Sequence, residues 1–303
     1  MIRNLLLAYD FSPSSERALH HAADVVARTG GTLHLLYVKE VPLGPMVKGD
    51  PSPMAGEEKL LEDLRARLRE QCRPALEAHD CGSDAVRYHA ERSGAVAPSV
   101  VRAADRVEAD LIAMGTQGQR GLQRAFFGSV ARETLRTAPC PVLTVRALPD
   151  EEEGAEPAVE RVVVPVDFSD PARQTLPYAG RVASLYDVPV KLVHVVEQPR
   201  MPTIYGVESP KISGRKVKAR AERALEEWGE ELRADGRNVS FVVHRGDPAS
   251  LILEAAPAAS DLLVMATRGL SGVQRTILGS VAEEVVCEAV GPVLVGRTFP
   301  SAP

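Results

Sequence analysis

The chain has little of what would mark a stapled, membrane-bound or hydrolytic protein. Its four cysteines, Cys72, Cys81, Cys140 and Cys287, fall into no C-x-x-C or other ligand spacing. A disulfide framework in a chain of 303 residues needs more of them, so simple thiols in a reducing compartment are expected. No stretch reaches the ~18 apolar residues of a membrane span, and Met1-Ile2-Arg3-Asn4 runs into a short apolar stretch without the long apolar region of a secretory leader. The expectation is a cytoplasmic protein with no membrane contact. Neither sign of charge dominates, with 36 Lys and Arg against 41 Asp and Glu. The formal net charge of −5 gives no electrostatic footprint for nucleic acid. An H-E-x-x-H pair, a G-x-S-x-G elbow and a G-x-x-x-x-G-K-[ST] phosphate loop are all missing.

What the chain does contain is a signature written twice. Gly121, Gln123, Arg124, Gly128, Ser129, Val130 and Ala131 recur at one constant offset as Gly272, Gln274, Arg275, Gly279, Ser280, Val281 and Ala282. At the same offset Asp110-Leu111-Ile112-Ala113-Met114 matches Asp261-Leu262-Leu263-Val264-Met265. At a slightly longer one, Ala8-Tyr9-Asp10-Phe11-Ser12 matches Pro165-Val166-Asp167-Phe168-Ser169. A period this long indicates a duplicated globular domain rather than a short-repeat solenoid, and the total length suits about two domains. The boundaries read as residues 1–147, an acidic linker at 148–160, and 161–298.

Within the first half the apolar run Ile2 to Ala8 reads as a strand. Ser12-Pro13 then supplies a cap followed by proline at the first helical position. A helix from Glu16 through Ala27 stops at Gly30-Gly31, and Thr32 to Val38 is the next strand. A charged amphipathic helix is expected from Glu57 to Ala78, then a strand at Ala85 to His89 and a helix at Pro98 to Val107. Leu111 to Met114, a helix over Ser129 to Thr137 and Val142 to Val145 complete five strands and four helices. The second half begins alike: strand Arg161 to Val166, helix Pro171 to Ser184, strand Val190 to Val196, helix Lys216 to Ala234. Alternating helices and near-continuously apolar strands imply two doubly wound α/β layers, each on a parallel five-stranded sheet. In such a layer a ligand crevice opens beyond the strand C-termini where the winding reverses.

That crevice should receive Gly115-Thr116-Gln117-Gly118 and, nine residues later, Gly128-Ser129 at a helix start. Glycines admit phosphate to backbone amides, and a helix N-terminus offers unpaired N–H groups and a favourable dipole. Asp10, at the end of the first strand, could accept a ribose hydroxyl or hold a phosphate-bound Mg²⁺ through water, and Arg120 and Arg124 could counter phosphate charge. A bland reading stands beside each: glycines that only make a turn, and aspartates that only cap the next helix. His20, His21, His34 and His194 read as satisfied structural histidines rather than metal ligands. The loops Lys39 to Gly56 and Glu197 to Gly214 are long and proline-containing, as lids would be.

These motifs resemble the universal stress proteins of the UspA superfamily. The family pattern G-x2-G-x9-G-[ST] is met by Gly115, Gly118, Gly128 and Ser129, and both halves are covered over nearly their whole length. The resemblance implies sheets of order 3-2-1-4-5 and a pseudo-twofold relation between the halves, with their last strands meeting. It implies ATP with Mg²⁺ as cofactor, with Asp10 and Val38 near ribose and adenine, Gly115 at the ribose side, and Gly118, Gly128 and Ser129 at the phosphates. In the second half the corresponding residues are Asp167, Val195, Gly269, Arg275, Gly279 and Ser280. There Ala266 replaces the first glycine, which puts that site in question. The leading expectation is an adenine-nucleotide-binding stress-response regulator with an unidentified protein partner and a possible homodimer. The alternatives are slow ATP hydrolysis and a nucleotide-free interaction scaffold, the latter motivated by Ala266 and by the bulk of Tyr9.

Overall fold

The computed structural model describes residues 2–41, 53–118, 127–148, 158–197, 214–267 and 278–296, with backbone alone at 53–55 and 214. Arg120, Arg124, Arg268, Gly269, Arg275, linker residues 149–157 and most of the two long loops lie outside the described residues. The chain divides into two compact units, Met1–Pro157 and Ala158–Pro303.

In the first unit the order is β1 (Asn4–Ala8), α1 (Pro13–Thr29), β2 (Thr32–Glu40), α2 (Pro53–Ala78), β3 (Val86–Ser93), α3 (Val96–Arg106), β4 (Leu111–Gly115), α4 (Ser129–Thr137) and β5 (Val142–Val145). Its strands are all parallel, in the spatial order β3-β2-β1-β4-β5. The second unit repeats this with β6 (Arg161–Pro165), α5 (Asp170–Tyr186), β7 (Val190–Glu197), α6 (Gly214–Ala234), β8 (Val239–Gly246), α7 (Pro248–Ala255), β9 (Asp261–Ala266), α8 (Ser280–Glu288) and β10 (Val293–Gly296). Its parallel order is β8-β7-β6-β9-β10. No helix among the described residues is long and apolar enough to cross a membrane.

Burial and capping account for these elements. Leu5, Leu6 and Leu7 of β1 and Val162, Val163 and Val164 of β6 are wholly buried, as central strands covered on both faces must be. Ser12 caps α1 by accepting the Ser15 N–H, with Pro13 at the first helical position, and Ser169 caps α5 by accepting the Ala172 N–H. The helices stop in the left-handed region, at Gly30 (φ 66°) and at Asp187 (φ 55°). The strands overrun the apolar pattern: β2 reaches Glu40 and β3 reaches Ser93 because the two stay paired to Glu40↔Ser93. Pairing there continues through polar residues that a hydropathy pattern does not mark.

A recurring aspartate ties the entry of the fourth strand to the first. Asp110 Oδ2 accepts the backbone N–H groups of Arg3 (2.7 Å) and Asn4 (3.0 Å). Its counterpart Asp261, 2% exposed, accepts both arms of the Arg161 guanidinium at 2.8 Å and the Ala258 N–H at 3.0 Å. Replacing Asp261 by alanine strands these donors, and urea denaturation of that variant should show a loss of about 1–3 kcal/mol.

Histidines make the first unit sensitive to acid. His21 on α1 is 3% exposed and its Nε2 has no partner; burial, followed by the Arg17 charge, holds its pKa down at about 3. Burial and His89 hold His34 at about 4. Unfolded histidine titrates near 6.5, so below that pH the unfolded chain takes up protons that the native one refuses, and stability falls. For His21 the loss should be about 1.4 kcal/mol per pH unit between 6.5 and its folded value. Urea titrations at pH 7 and pH 5 should show a weaker pH dependence in His21→Leu than in the parent chain.

Candidate functional site

The site begins where β1 ends. Tyr9 N–H still donates to Leu36 O (2.9 Å), after which the chain turns out of the sheet through Phe11 at φ 64°. A left-handed conformation costs a residue with a side chain about 1–2 kcal/mol. The Phe11 ring compensates by packing edge-on to Tyr9 and Tyr37, each at 5.1 Å, with the Arg67 guanidinium 4.3 Å above it. The turn lets Asp10 Oδ1 accept the Ser12 N–H at 3.0 Å and leaves Oδ2 directed at Gly118. The second unit repeats this geometry. Phe168 has φ 62° and packs on His194 (4.6 Å) and Trp228 (5.4 Å), while Asp167 Oδ1 accepts from Ser169 N (3.0 Å) and Oγ (2.6 Å). A bulky residue at positive φ was not anticipated from sequence; the only signal was Asp-Phe-Ser kept in both copies.

β4 supplies the facing wall. A Cβ on Gly115 would lie 2.3 Å from Ser14 Oγ and 2.8 Å from Ser15 N, so glycine is required here by the close approach of α1. That requirement lies on the α1 side of the sheet, away from the crevice. In the second unit Pro171 stands in place of Ser14 and Ala266 in place of Gly115. Gly115 is level with Val145 on β5, whereas Ala266 is level with Gly296 on β10, so the small residue has moved to the neighbouring strand. Residues level in a parallel sheet share a face.

Past β4 the backbone closes tightly. Gly128 N–H donates to Thr116 O (2.9 Å), and a Cβ on Gly128 would come within 3.0 Å of that oxygen. Gly128 is the N-cap of α4 and offers no side chain to its amides, so the first-turn N–H groups at Ser129 remain open. A Cβ on Gly118 would sit 2.9 Å from Asp10 Oδ2, which brings these two candidates together across the break between β1 and β4. Gly279 repeats the arrangement, donating to Thr267 O at 2.8 Å and capping α8 ahead of Ser280.

Between these walls lies a cavity of about 560 Å³. Its apolar lining includes Ala8, Leu36, Val38, Met114, Val96 and Val100. Its polar lining includes Asp10, Lys39, Glu40, Thr116, Gln117 and Ser129, with Gly118 and Gly128 beside them. β1 pairs with β2 only as far as Leu36, so β2 runs beyond it and brings Val38 to the opening. Val195 of β7 is the counterpart of Val38. Tyr9 is among the residues lining the cavity, and its hydroxyl donates to the Glu16 carboxylate of α1 beside Cys72 of α2. Burial raises the pKa of Tyr9 and pushes the Cys72 thiol up to about 12.

Of the histidines expected to be satisfied, His21 is the exception, since its buried Nε2 has no partner among the described residues, whereas His20, His34 and His194 each have one. His34 Nδ1 pairs with His89 Nε2 and His20 Nδ1 with His79 Nε2, each at 3.1 Å, and His194 Nδ1–H donates to Val166 O at 2.7 Å. Among the described residues no group of three or more His, Cys, Asp or Glu is placed to hold a metal ion.

The model of the universal stress protein family matches residues 1–146 and again 158–297. The chain belongs to the universal stress protein family. A universal stress protein of Methanocaldococcus jannaschii is 32% identical over 152 residues, 48% of this chain and 83% of that protein. One from Mycolicibacterium smegmatis is 26% identical over 300 residues, 97% of this chain and 96% of its own length. The crystal structure of a universal stress protein from Archaeoglobus fulgidus superposes with a TM-score of 0.67 at 22% identity, covering 97% of this chain and 98% of that one, which is a likeness of fold.

The two versions of the first glycine position make a pair of variants informative. Gly115→Ala forces a methyl into α1 and should destabilise the first unit by about 1–3 kcal/mol. Ala266→Gly should cost no more than about 1 kcal/mol. Urea denaturation of both variants distinguishes them, and equal losses would contradict the assigned packing.

Proposed function

We propose that this universal stress protein is an adenine-nucleotide-binding stress-response regulator, with one candidate site in each half. The observation that carries the reading is a cavity whose lining joins apolar Val38 to Gly118, Gly128 and Asp10, with Gly118 close against the Asp10 carboxylate. Its volume falls in the ~300–1,000 Å³ range typical of small-molecule sites. In this reading adenine occupies the Val38 end, Asp10 engages the ribose or a metal-bound water, and the phosphates lie on the open amides of α4 beside Ser129. The α4 dipole favours their negative charge. Mg²⁺ carried by the nucleotide would neutralise part of that charge, and Asp10 would hold it through water. Arg124 would add a positive charge at the phosphate end, as Arg275 would in the second half. There Asp167, Val195, Gly269, Gly279 and Ser280 take the corresponding roles. The loaded state would then present an altered surface to a protein partner.

Titration calorimetry of the intact chain with ATP and Mg²⁺ tests this directly. Binding is expected, and Gly118→Val should weaken it at the first site by about tenfold or more, or ~1.4 kcal/mol, by driving its side chain onto Asp10. Absence of heat with the parent chain would overturn the assignment.

A further inference from the structure

Thr116 carries a buried hydroxyl that has no partner among the described residues. The residue is 3% exposed, lines the cavity, and its Oγ1 receives no hydrogen bond from any described residue. Its backbone is fully used: Thr116 N–H donates to Val145 O at 2.9 Å, and Thr116 O accepts the Gly128 N–H at 2.9 Å. Gly115 turns its missing Cβ toward α1, so the next residue directs its side chain to the opposite face, where the cavity lies. Thr116 is thus joined through its carbonyl to the start of α4, whose N-cap glycine brings no side chain of its own. A native structure seldom keeps a buried hydroxyl without a partner unless a ligand, an ion or an ordered water completes it.

The duplication singles out the same residue. Gly115 and Gln117 on either side of Thr116 become Ala266 and Arg268 in the second half, yet the threonine is kept as Thr267. Thr267 is also buried, at 5% exposure, and its carbonyl likewise accepts the helix-capping glycine's N–H, at 2.8 Å.

We infer that Thr116 is a ligand-binding residue of the first site, its hydroxyl donating to a phosphoryl oxygen that also lies on the amides of α4. This rests on the nucleotide reading above and adds to it a neutral donor, placed deeper than the glycines. An anionic oxygen accepts from a neutral hydroxyl more strongly than a neutral acceptor does, and in a site withdrawn from water that contribution is retained.

The test uses the full chain, Thr116→Val and Thr116→Ser, with ATP and Mg²⁺ as the probe. Valine keeps the branched shape and removes the hydroxyl; serine keeps the hydroxyl. Calorimetry should show Thr116→Val binding at the first site about tenfold more weakly and Thr116→Ser binding close to the parent. Urea denaturation without nucleotide should give Thr116→Val a midpoint equal to or above the parent, because the group removed had no partner to lose. Equal affinity in Thr116→Val and the parent would overturn the inference and leave the nucleotide reading standing. So would a serine variant as weak as valine, or a lowered midpoint in ligand-free Thr116→Val, which would make the hydroxyl a structural group. A parent chain that binds no ATP would remove both readings together.

Discussion

β1 pairs with β2 along one edge and β4 along the other, and the crossovers leave it in opposite directions. Helices α1 and α2 pack together, as do α3 and α4, and neither pair can roof the ends of β1 and β4 where the winding reverses. That uncovered end is a consequence of connectivity, whatever side chains occupy it. The residues then determine what the opening is suited to hold. Short side chains at Ala8, Gly118 and Gly128 keep it clear, Val38 adds to its apolar lining, and the uncapped start of α4 gives it a partial positive charge.

Two local conflicts are resolved by neighbours rather than avoided. Phe11 and Phe168 occupy a backbone region unfavourable to bulky residues, and each is held there by an aromatic cluster built from different residues: Tyr9 and Tyr37 in one unit, His194 and Trp228 in the other. Likewise Gly115 ends β4 beside Val145 in the first unit, whereas Ala266 ends β9 beside Gly296 in the second. The backbone geometry of the crevice persists while the packing behind it has diverged. A departure from a glycine pattern in one copy therefore says little about the crevice until the face to which the new methyl points is known.

Much of the fold was legible in the sequence because its signals are local and periodic. The apolar runs of β1 and β6, the Ser12-Pro13 cap and the duplicated Gly128-Ser129 helix start each name an element, and alternation names a doubly wound layer. The ends of β2 and β3 were not legible, since Lys39, Glu40, Arg92 and Ser93 are ordered by pairing rather than by hydropathy. At the site, Asp10, Gly118, Gly128 and Ser129 could be chosen from strand ends and spacing and Val38 from the family resemblance, and they border one cavity. Which way Gly115 and Tyr9 face could not be read, because that depends on α1 and α2 packing from a distance in sequence. Thr116 passed unnoticed for the same reason: an orphaned hydroxyl exists only once everything around it has been placed.

The aromatic support behind the second crevice has an optical consequence. Trp228 is the only tryptophan in the chain, and it lies against Phe168, one residue from Asp167. The corresponding ring on the first side is surrounded by tyrosines. Indole emission from the intact chain thus originates wholly beside one of the two turns, giving a duplicated molecule a built-in means of telling its copies apart.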